Sequence, residues 1–506
     1  MECETGHNME IKQNDIVGRY AVAACDLKPG DVIISETAFA YGPKTDSPPV
    51  CLGCYAFIDC SNLCSICGWP VCDPSCEVVP AHQDAECVIF ASGKVKFTPV
   101  EDCSEPCLQY ECITPLRVLL AMEKNKTKWD REVNVMETHT DKRKTKEIWN
   151  FYKVNVVDFL RGPCKLSARF DEDLIHQVCG ILDINTFEAR TQSGNMIRCL
   201  YPTLAMMSHN CVSNVTHSIY TDGWGTTEDY RVTARAAVPL KKGEELFASY
   251  TYSLWPTMIR REYLREGKYF ECNCPRCSDP TELGTHMSTM KCTKNLCDNG
   301  IIYSTNPLDD EAEWKCTHCP NIIKGATVRK VFKTIQAEIE QVDAMEQDST
   351  SIETRESLYR KYRSVLHPRN AFFTILRISL AQMYGKIEGY TMDLLPDVLF
   401  ERKIELCQQI LENIDIIEPG WSRLRGITMY ELHAPLIMLG RNLYNTDAID
   451  KEQLRAKLNE AVDLLRQSSQ ILLLEPENSN EGMIGRAAEQ AYQELSANLD
   501  QLVENA

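Results

Sequence analysis

The feature that most constrains this chain is a run of paired thiols, CLGCYAFIDCSNLCSICGWPVCDPSCEVVPAHQDAEC, covering residues 51–87. Cys51/Cys54, Cys64/Cys67 and Cys72/Cys76 form three close pairs, and His82 and Cys87 close the segment. Zinc takes four thiolate or imidazole ligands in a tetrahedron, and a CxxC knuckle supplies two of them from one tight turn. Eight candidate ligands make two sites. The expected sharing is interleaved, with Cys51, Cys54, Cys72 and Cys76 on one ion and Cys64, Cys67, His82 and Cys87 on the other. Cys60 is left over. A segment this short cannot bury enough apolar surface to hold itself together, so bound metal would supply its folding free energy.

Two further thiol groups lie downstream. Cys272, Cys274 and Cys277 in YFECNCPRC are one ligand short of a tetrahedron. Cys211 is a candidate for the fourth, although spacing alone does not show it. Cys292 and Cys297, followed by Cys316 and Cys319, resemble a small zinc ribbon in which His318 is an alternative to one thiol. Cys103, Cys107 and Cys112 also cluster, but they lack a fourth partner and run into an apolar segment at Ile113–Leu120, which makes them core or loop thiols. No cysteine has a His and an acid arranged to favour a nucleophile over a ligand.

Usage elsewhere supports metal over disulfides. Of 25 cysteines, 24 precede residue 320 and only Cys407 follows it. The start, Met1-Glu2-Cys3-Glu4, lacks the basic and apolar regions of a secretory signal, and no apolar run is long enough to cross a membrane. A reducing cytosolic or nuclear setting is expected, where thiols stay reduced and bind metal. The net charge of −18, from 54 basic and 72 acidic side chains, argues against phosphate-driven nucleic-acid binding and suits solubility or a lysine-rich protein partner. The basic stretch Lys124–Lys146 reads as solvated surface.

Between and around the thiols the pattern alternates between strand and helix. Residues 16–40 read as strand, turn, strand about Lys28-Pro29-Gly30-Asp31, and residues 113–182 as mainly helical. Short strands return at 184–250, at Val215–Tyr220, Tyr230–Ala234 and Leu246–Tyr250, with turns at Asp222-Gly223 and Lys241–Glu245. These short strands suggest a compact β fold assembled from both sides of the first thiol module. From about residue 327 long amphipathic runs such as FKTIQAEIEQVDAM and LRAKLNEAVDLLRQSSQILLL predict stacked helices without a strict repeat.

This order, with SHNCVSN at 208–214 and FASYTY…YFECNCPRC at 247–277, resembles the SMYD family of SET-domain protein methyltransferases, and CNCPRCSDPTELGT resembles its arthropod-type branch. The resemblance implies an α+β fold: a β-rich SET domain split by a MYND zinc finger, a post-SET zinc site, an additional zinc ribbon and a TPR-like helical C-terminal domain. The corresponding segments are 1–50 and 184–253 for the SET domain, 51–87 for the finger and 88–183 for a helical insertion. They continue with 254–280 for the post-SET region, 281–325 for the ribbon and 326–506 for the helices. It further implies that Cys211 joins Cys272, Cys274 and Cys277, giving four zinc ions in all.

The implied activity is S-adenosylmethionine-dependent methylation of histone or other protein lysines, with roles in the nucleus or cytoplasm, and short proline-rich peptides docking on the finger. The implied catalytic residue is Tyr250. The implied cofactor-binding residues are Gly18, Arg19, Glu137, His139, Asn185, Ser208, His209, Tyr250 and Phe270. Methyl transfer is an in-line displacement that needs an aligned neutral amine and no covalent enzyme intermediate.

Four positions depart from the family pattern. Tyr20 replaces a glycine and would hinder close approach and a positive φ, Ser208 replaces a longer Asn, Ser213 replaces a Pro, and Lys268 replaces a Tyr of the lysine channel, although Tyr269 is next to it. If Lys268 points inward its charge opposes a sulfonium. These departures keep a second expectation open, a catalytically weak or inactive scaffold that binds partners through the finger and the helices.

Overall fold

The computed structural model describes residues 8–15, 18–221 and 229–504. The turn expected at Asp222-Gly223 lies outside them. The β-rich part is built from segments far apart in sequence. Strand β3 (Val32–Glu36) pairs antiparallel with β9 (Arg231–Ala236), which pairs with β8 (Val215–Tyr220). Strand β4 (Ala40–Pro43) pairs with β6 (Met196–Leu200), which pairs with β5 (Thr186–Arg190). The thiol module and helical insertion are therefore inserted into a β domain that closes only when residues 32–43 meet residues 186–236.

The strand, turn and strand expected over residues 16–40 are present as β2 (Gly18–Ala23), the turn at Lys28–Asp31 and β3, with β2 taking β1 (Met9–Asn14) as its partner. Alternation of apolar residues predicts strands but carries no information on which partner a strand takes. The strand expected at Leu246–Tyr250 is only Phe247–Ala248, β10, which runs parallel to β7 (Ser208–His209). Tyr250 lies just beyond it, released from the ladder.

The finger contains little regular structure. Isolated bridges Val50↔Phe57 and Leu63↔Pro70 close its two knuckles, and Gly68, at φ 74°, lets the second turn tightly. The helices Ile113–Lys124 and Glu172–Asn185 pack beneath the β strands in one continuous core. Strands β11 (Met290–Lys291), β12 (Ile301–Ser304), β13 (Trp314–Cys316) and β14 (Ile322–Ile323) form an antiparallel ribbon.

Seven helices follow, from Gly325–Asp343 to Asn480–Glu504, each burying its apolar stripe against neighbouring helices. They return to the β domain at several places, where Arg423 also bonds His217 O. The Trp421 N–H donates to Ala237 O at 2.8 Å, the Tyr220 hydroxyl donates to Leu474 O at 2.8 Å, and Ser253 bonds Glu418. No helix among the described residues is long and apolar enough to cross a membrane.

Candidate active site and metal centres

The structure brings the predicted ligands together in four groups: Cys51, Cys54, Cys72 and Cys76; Cys64, Cys67, His82 and Cys87; Cys211, Cys272, Cys274 and Cys277; and Cys292, Cys297, Cys316 and Cys319. A tetrahedron with Zn–S bonds of about 2.3 Å has edges of about 3.8 Å. The sulfurs of Cys54 and Cys72 are 3.6 Å apart, those of Cys64 and Cys87 3.8 Å, Cys211 and Cys272 3.9 Å, and Cys292 and Cys319 3.7 Å. The donor sets and their spacing fit zinc. His318 is not among them; its ring bonds Thr317, so the ribbon group is all thiol.

Residues outside the thiol pattern support two of these groups. His82 turns Nε2 toward Cys67 Sγ at 3.7 Å and Nδ1 toward Glu86 Oε1 at 2.9 Å. Arg117 holds both oxygens of Glu86, at 2.6 and 2.8 Å, and donates to Leu52 O and Tyr41 O. A carboxylate behind a ligating imidazole fixes its orientation and raises its basicity. Glu86 is fully buried; burial would raise its carboxyl, but Arg117 and His82 hold it below the ordinary value. At the third group Arg260 points Nε at Cys211 Sγ, 3.3 Å away, and Nη2 at Cys277 Sγ, 3.6 Å away. Glu282 bridges Arg260 and Arg276 at 2.8 and 2.9 Å. Four thiolates around one divalent ion carry two negative charges, and these buried guanidiniums stand against them. Glu86, Arg117, Arg260, Arg276 and Glu282 were not identified from the sequence; the only local signal was the His82–Glu86 spacing of four on a helical turn.

The predicted cofactor residues form one continuous rim. At one end Gly18 has φ 71°, and a Cβ there would meet nothing within 4 Å. Arg19 donates to Val135 O at 3.0 Å, tying the β1–β2 hairpin to the loop that carries Glu137 and His139. Asn185, ending its helix, donates Nδ2 to Glu137 O at 3.0 Å and to Ile181 O at 2.9 Å. Glu137 Oε1 accepts from the His139 and Thr138 N–H groups at 2.7 and 2.9 Å. Partial burial would raise its carboxyl, and these donors with the His139 ring hold it below the ordinary value.

The rim continues from the His139 ring to Tyr269, centroids 5.3 Å apart, and from Phe270 to His209 at 5.8 Å. His209 accepts the Tyr250 N–H at Nδ1, 3.0 Å away, and the Tyr250 hydroxyl donates to Met207 O at 2.6 Å. Burial pushes that phenol up to about 12, so it stays a neutral donor at physiological pH. Ser208 lies opposite Phe247 in the β7–β10 pair. Asn214, also missed from sequence, fixes the approach to β10 by accepting from Phe247 N–H at 2.7 Å and donating to Glu245 O at 2.9 Å.

Two of the departures resolve physically. Tyr20 pairs with Lys12 within the hairpin and does not have a positive φ, so its backbone does not require glycine. Lys268 points into the protein: Nζ donates to Ile184 O at 2.7 Å and Asp183 O at 3.2 Å, at the carboxyl end of the helix that presents Asn185. A cation is favourable at that end of a helix. Burial pulls its amine below the ordinary value. Within the basic stretch read as solvated surface, Lys142 donates to Tyr269 O at 2.8 Å and Lys146 lies over the Tyr269 ring at 4.6 Å.

The structure is thus a split β domain stapled by thiol sites, with Tyr250 beside a helix–loop rim. The chain is similar in sequence to SET and MYND domain-containing proteins. It is 28% identical over 335 residues to the Drosophila melanogaster SET domain-containing protein SmydA-8, isoform A, covering 64% of this chain and 67% of the relative. It is 25% identical over 291 residues to the mouse histone-lysine N-methyltransferase Smyd1, covering 53% of this chain and 56% of that protein. It is 35% identical over 79 residues to the human N-lysine methyltransferase SMYD2, covering 16% of each. No protein-family model matches the chain.

Proposed function

We propose that the protein transfers a methyl group from S-adenosylmethionine to lysine side chains in basic protein segments. The observation that carries this reading is the unbroken rim from Arg19 through Glu137, Asn185, His139 and Phe270 to His209 and Tyr250. Its donor set suits the cofactor: an aromatic face at Phe270, an exposed carboxylate at Glu137 and open space over Gly18. The cofactor would supply an electrophilic methyl on a sulfonium.

The chain's own residues do the positioning. Phe270 offers a stacking surface, Glu137 a hydrogen-bond acceptor, and the backbone of Ser208 and His209 a strand edge. Tyr250 anchors its hydroxyl on Met207 O, which fixes the ring as a wall for the incoming amine. Apolar and aromatic walls disfavour the ammonium form and so deliver a neutral lysine. The net charge of −18 favours approach of a basic segment. The reading is tested by following label from methyl-labelled cofactor into lysine-rich protein: wild type labels it, Tyr250→Phe labels it at least tenfold more slowly with zinc content unchanged, and equal rates overturn the role of Tyr250.

A second reading is favoured by Lys268, whose inward ammonium occupies a position where the family resemblance implies a tyrosine. In that reading the protein is a partner-binding scaffold, with proline-rich peptides meeting the finger near Phe57, Ile66 and Val78, which are all exposed. Loss of cofactor binding with retained peptide binding would select it.

A further inference from the structure

Of the 24 cysteines among the described residues, 15 fall in the four metal groups, leaving nine. Two of the nine meet: the sulfurs of Cys60 and Cys103 are 3.5 Å apart, and both residues are partly exposed. By contrast Cys107, Cys112, Cys164, Cys179, Cys199 and Cys407 are buried. The two touching cysteines sit in the same tripeptide, Asp-Cys-Ser, at 59–61 and again at 102–104. In each copy the Asp Oδ1 accepts the N–H of the Ser two residues on, at 3.0 Å for Asp59–Ser61 and 2.8 Å for Asp102–Ser104. Each cysteine is thus the middle residue of a tight side-chain-closed turn, and the two turns face one another.

Both turns are held from behind. Asn62 donates to Cys72 O at 3.1 Å, fixing the finger loop. The second segment is fixed where the Cys107 N–H donates to Ser47 O at 2.9 Å and the Tyr110 hydroxyl donates to Val50 O at 2.7 Å. The contact therefore bridges the finger and the strap that follows it.

We propose that Cys60 and Cys103 are a peroxide-sensitive dithiol that closes to an intramolecular disulfide while the metal groups stay intact. One thiolate attacks the O–O bond of hydrogen peroxide, giving a sulfenic acid and hydroxide, which takes up a proton to become water. The second sulfur then attacks the sulfenic sulfur, the S–O bond breaks and a second water leaves. In balance, two thiols and one peroxide give one disulfide and two waters; the sulfurs lose two electrons and the peroxide gains them. Two equivalents of a thiol such as glutathione reverse it by exchange, leaving glutathione disulfide.

Bond formation needs the sulfurs to move about 1.5 Å closer, within reach of side-chain rotation in exposed turns. With an ion bound the metal-group sulfurs would be coordinated, which leaves this partly exposed, touching pair as free thiols. The bridge joins residues 43 positions apart and encloses Cys64, Cys67, His82 and Cys87 within one covalent loop. It also locks the loop that carries Phe57, 65% exposed and three residues before Cys60.

The test treats the zinc-loaded full chain with near-stoichiometric hydrogen peroxide, caps remaining thiols with N-ethylmaleimide and maps unreduced peptides by mass spectrometry, with zinc measured in parallel. The expected result is a Cys60–Cys103 crosslinked peptide lacking two hydrogens, reversed by glutathione, with zinc content equal to the untreated protein. Cys60→Ser and Cys103→Ser should each abolish the crosslink and retain zinc. Oxidation of the metal-group cysteines first, with zinc release, overturns the proposal. So does pairing of either cysteine with Cys107, or recovery of both as capped thiols.

Discussion

His209 Nδ1 and the Tyr250 backbone N–H are 3.0 Å apart, and because Nδ1 accepts that bond, the ring proton sits on Nε2, which faces Cys211 Sγ at 3.3 Å. One imidazole therefore joins a metal-group sulfur to the residue proposed to wall the methyl-transfer site. The Tyr250 backbone and the Cys211 sulfur thus share one ring as hydrogen-bond partner.

That link is tested at His209. His209→Ala removes an acceptor from the Tyr250 N–H and a donor from a thiolate, each a bond worth about 1–3 kcal/mol. Methyl transfer should fall at least tenfold and zinc at this group should exchange faster with chelator. His209→Asn, which can accept and donate at once, should recover part of both. Unchanged zinc exchange in the alanine variant would break the link.

Glu86 is the second target. Glu86→Ala leaves Arg117 buried, 5% exposed, without its carboxylate and frees the back of His82. Removing one partner of a buried pair costs about 3–5 kcal/mol. Thermal unfolding should shift down by several degrees and zinc should be lost more readily from the Cys64, Cys67, His82, Cys87 group. An unchanged melting profile would show that the pair does not hold the finger to the helix Ile113–Lys124.

How much of this was legible in the sequence follows from range. The thiol groups were legible because knuckle spacing is local and a tetrahedron has a fixed count. Helices such as Lys451–Leu472 were legible from their apolar period. The pairing of β2 with β1 was not, since an alternating pattern does not name its partner. Nor were Arg117 behind Glu86, 31 residues away, or Arg260 behind Cys211, 49 away, because a buried arginine looks like any other until its partner arrives from another part of the chain. The direction of Lys268 was open for the same reason.

Chelation should resolve the metal groups by exposure. The four cysteines of the ribbon are all partly exposed, whereas Cys64, Cys67, His82 and Cys87 are all buried. Elemental analysis of the native protein should give four zinc ions per chain, one for each group. A competing chelator should take the ribbon ion first and that of the buried finger group last. Two or fewer ions, or simultaneous release, would contradict the assignment.

Stability should respond to pH through Glu111. Burial raises its carboxyl to about 7, with one oxygen accepting the Asp46 N–H and the other buried without a partner. The folded state then holds a proton that the unfolded chain releases near pH 4.5, so stability is present at low pH and is lost as pH rises from about 4.5 through 7. Glu111→Gln should flatten that slope and melt higher than wild type at pH 8. A steeper slope in the variant would contradict the sign.

Removing the Lys268 charge should help a cationic ligand. Lys268→Met deletes an inward ammonium at the helix end beside Asn185 while leaving the Ile184 and Asp183 carbonyls unbonded. Binding of S-adenosylmethionine should tighten several-fold while S-adenosylhomocysteine, which lacks the sulfonium charge, changes less. Equal shifts for the two ligands would show that the charge does not reach the site.

The central claim is that the rim from Arg19 to Tyr250 holds S-adenosylmethionine. Titration calorimetry of the zinc-loaded chain measures it directly: the account predicts saturable one-to-one binding, competed by S-adenosylhomocysteine and weakened by Phe270→Ala. Absence of heat and of competition at millimolar ligand, with all four metal groups filled, would contradict it.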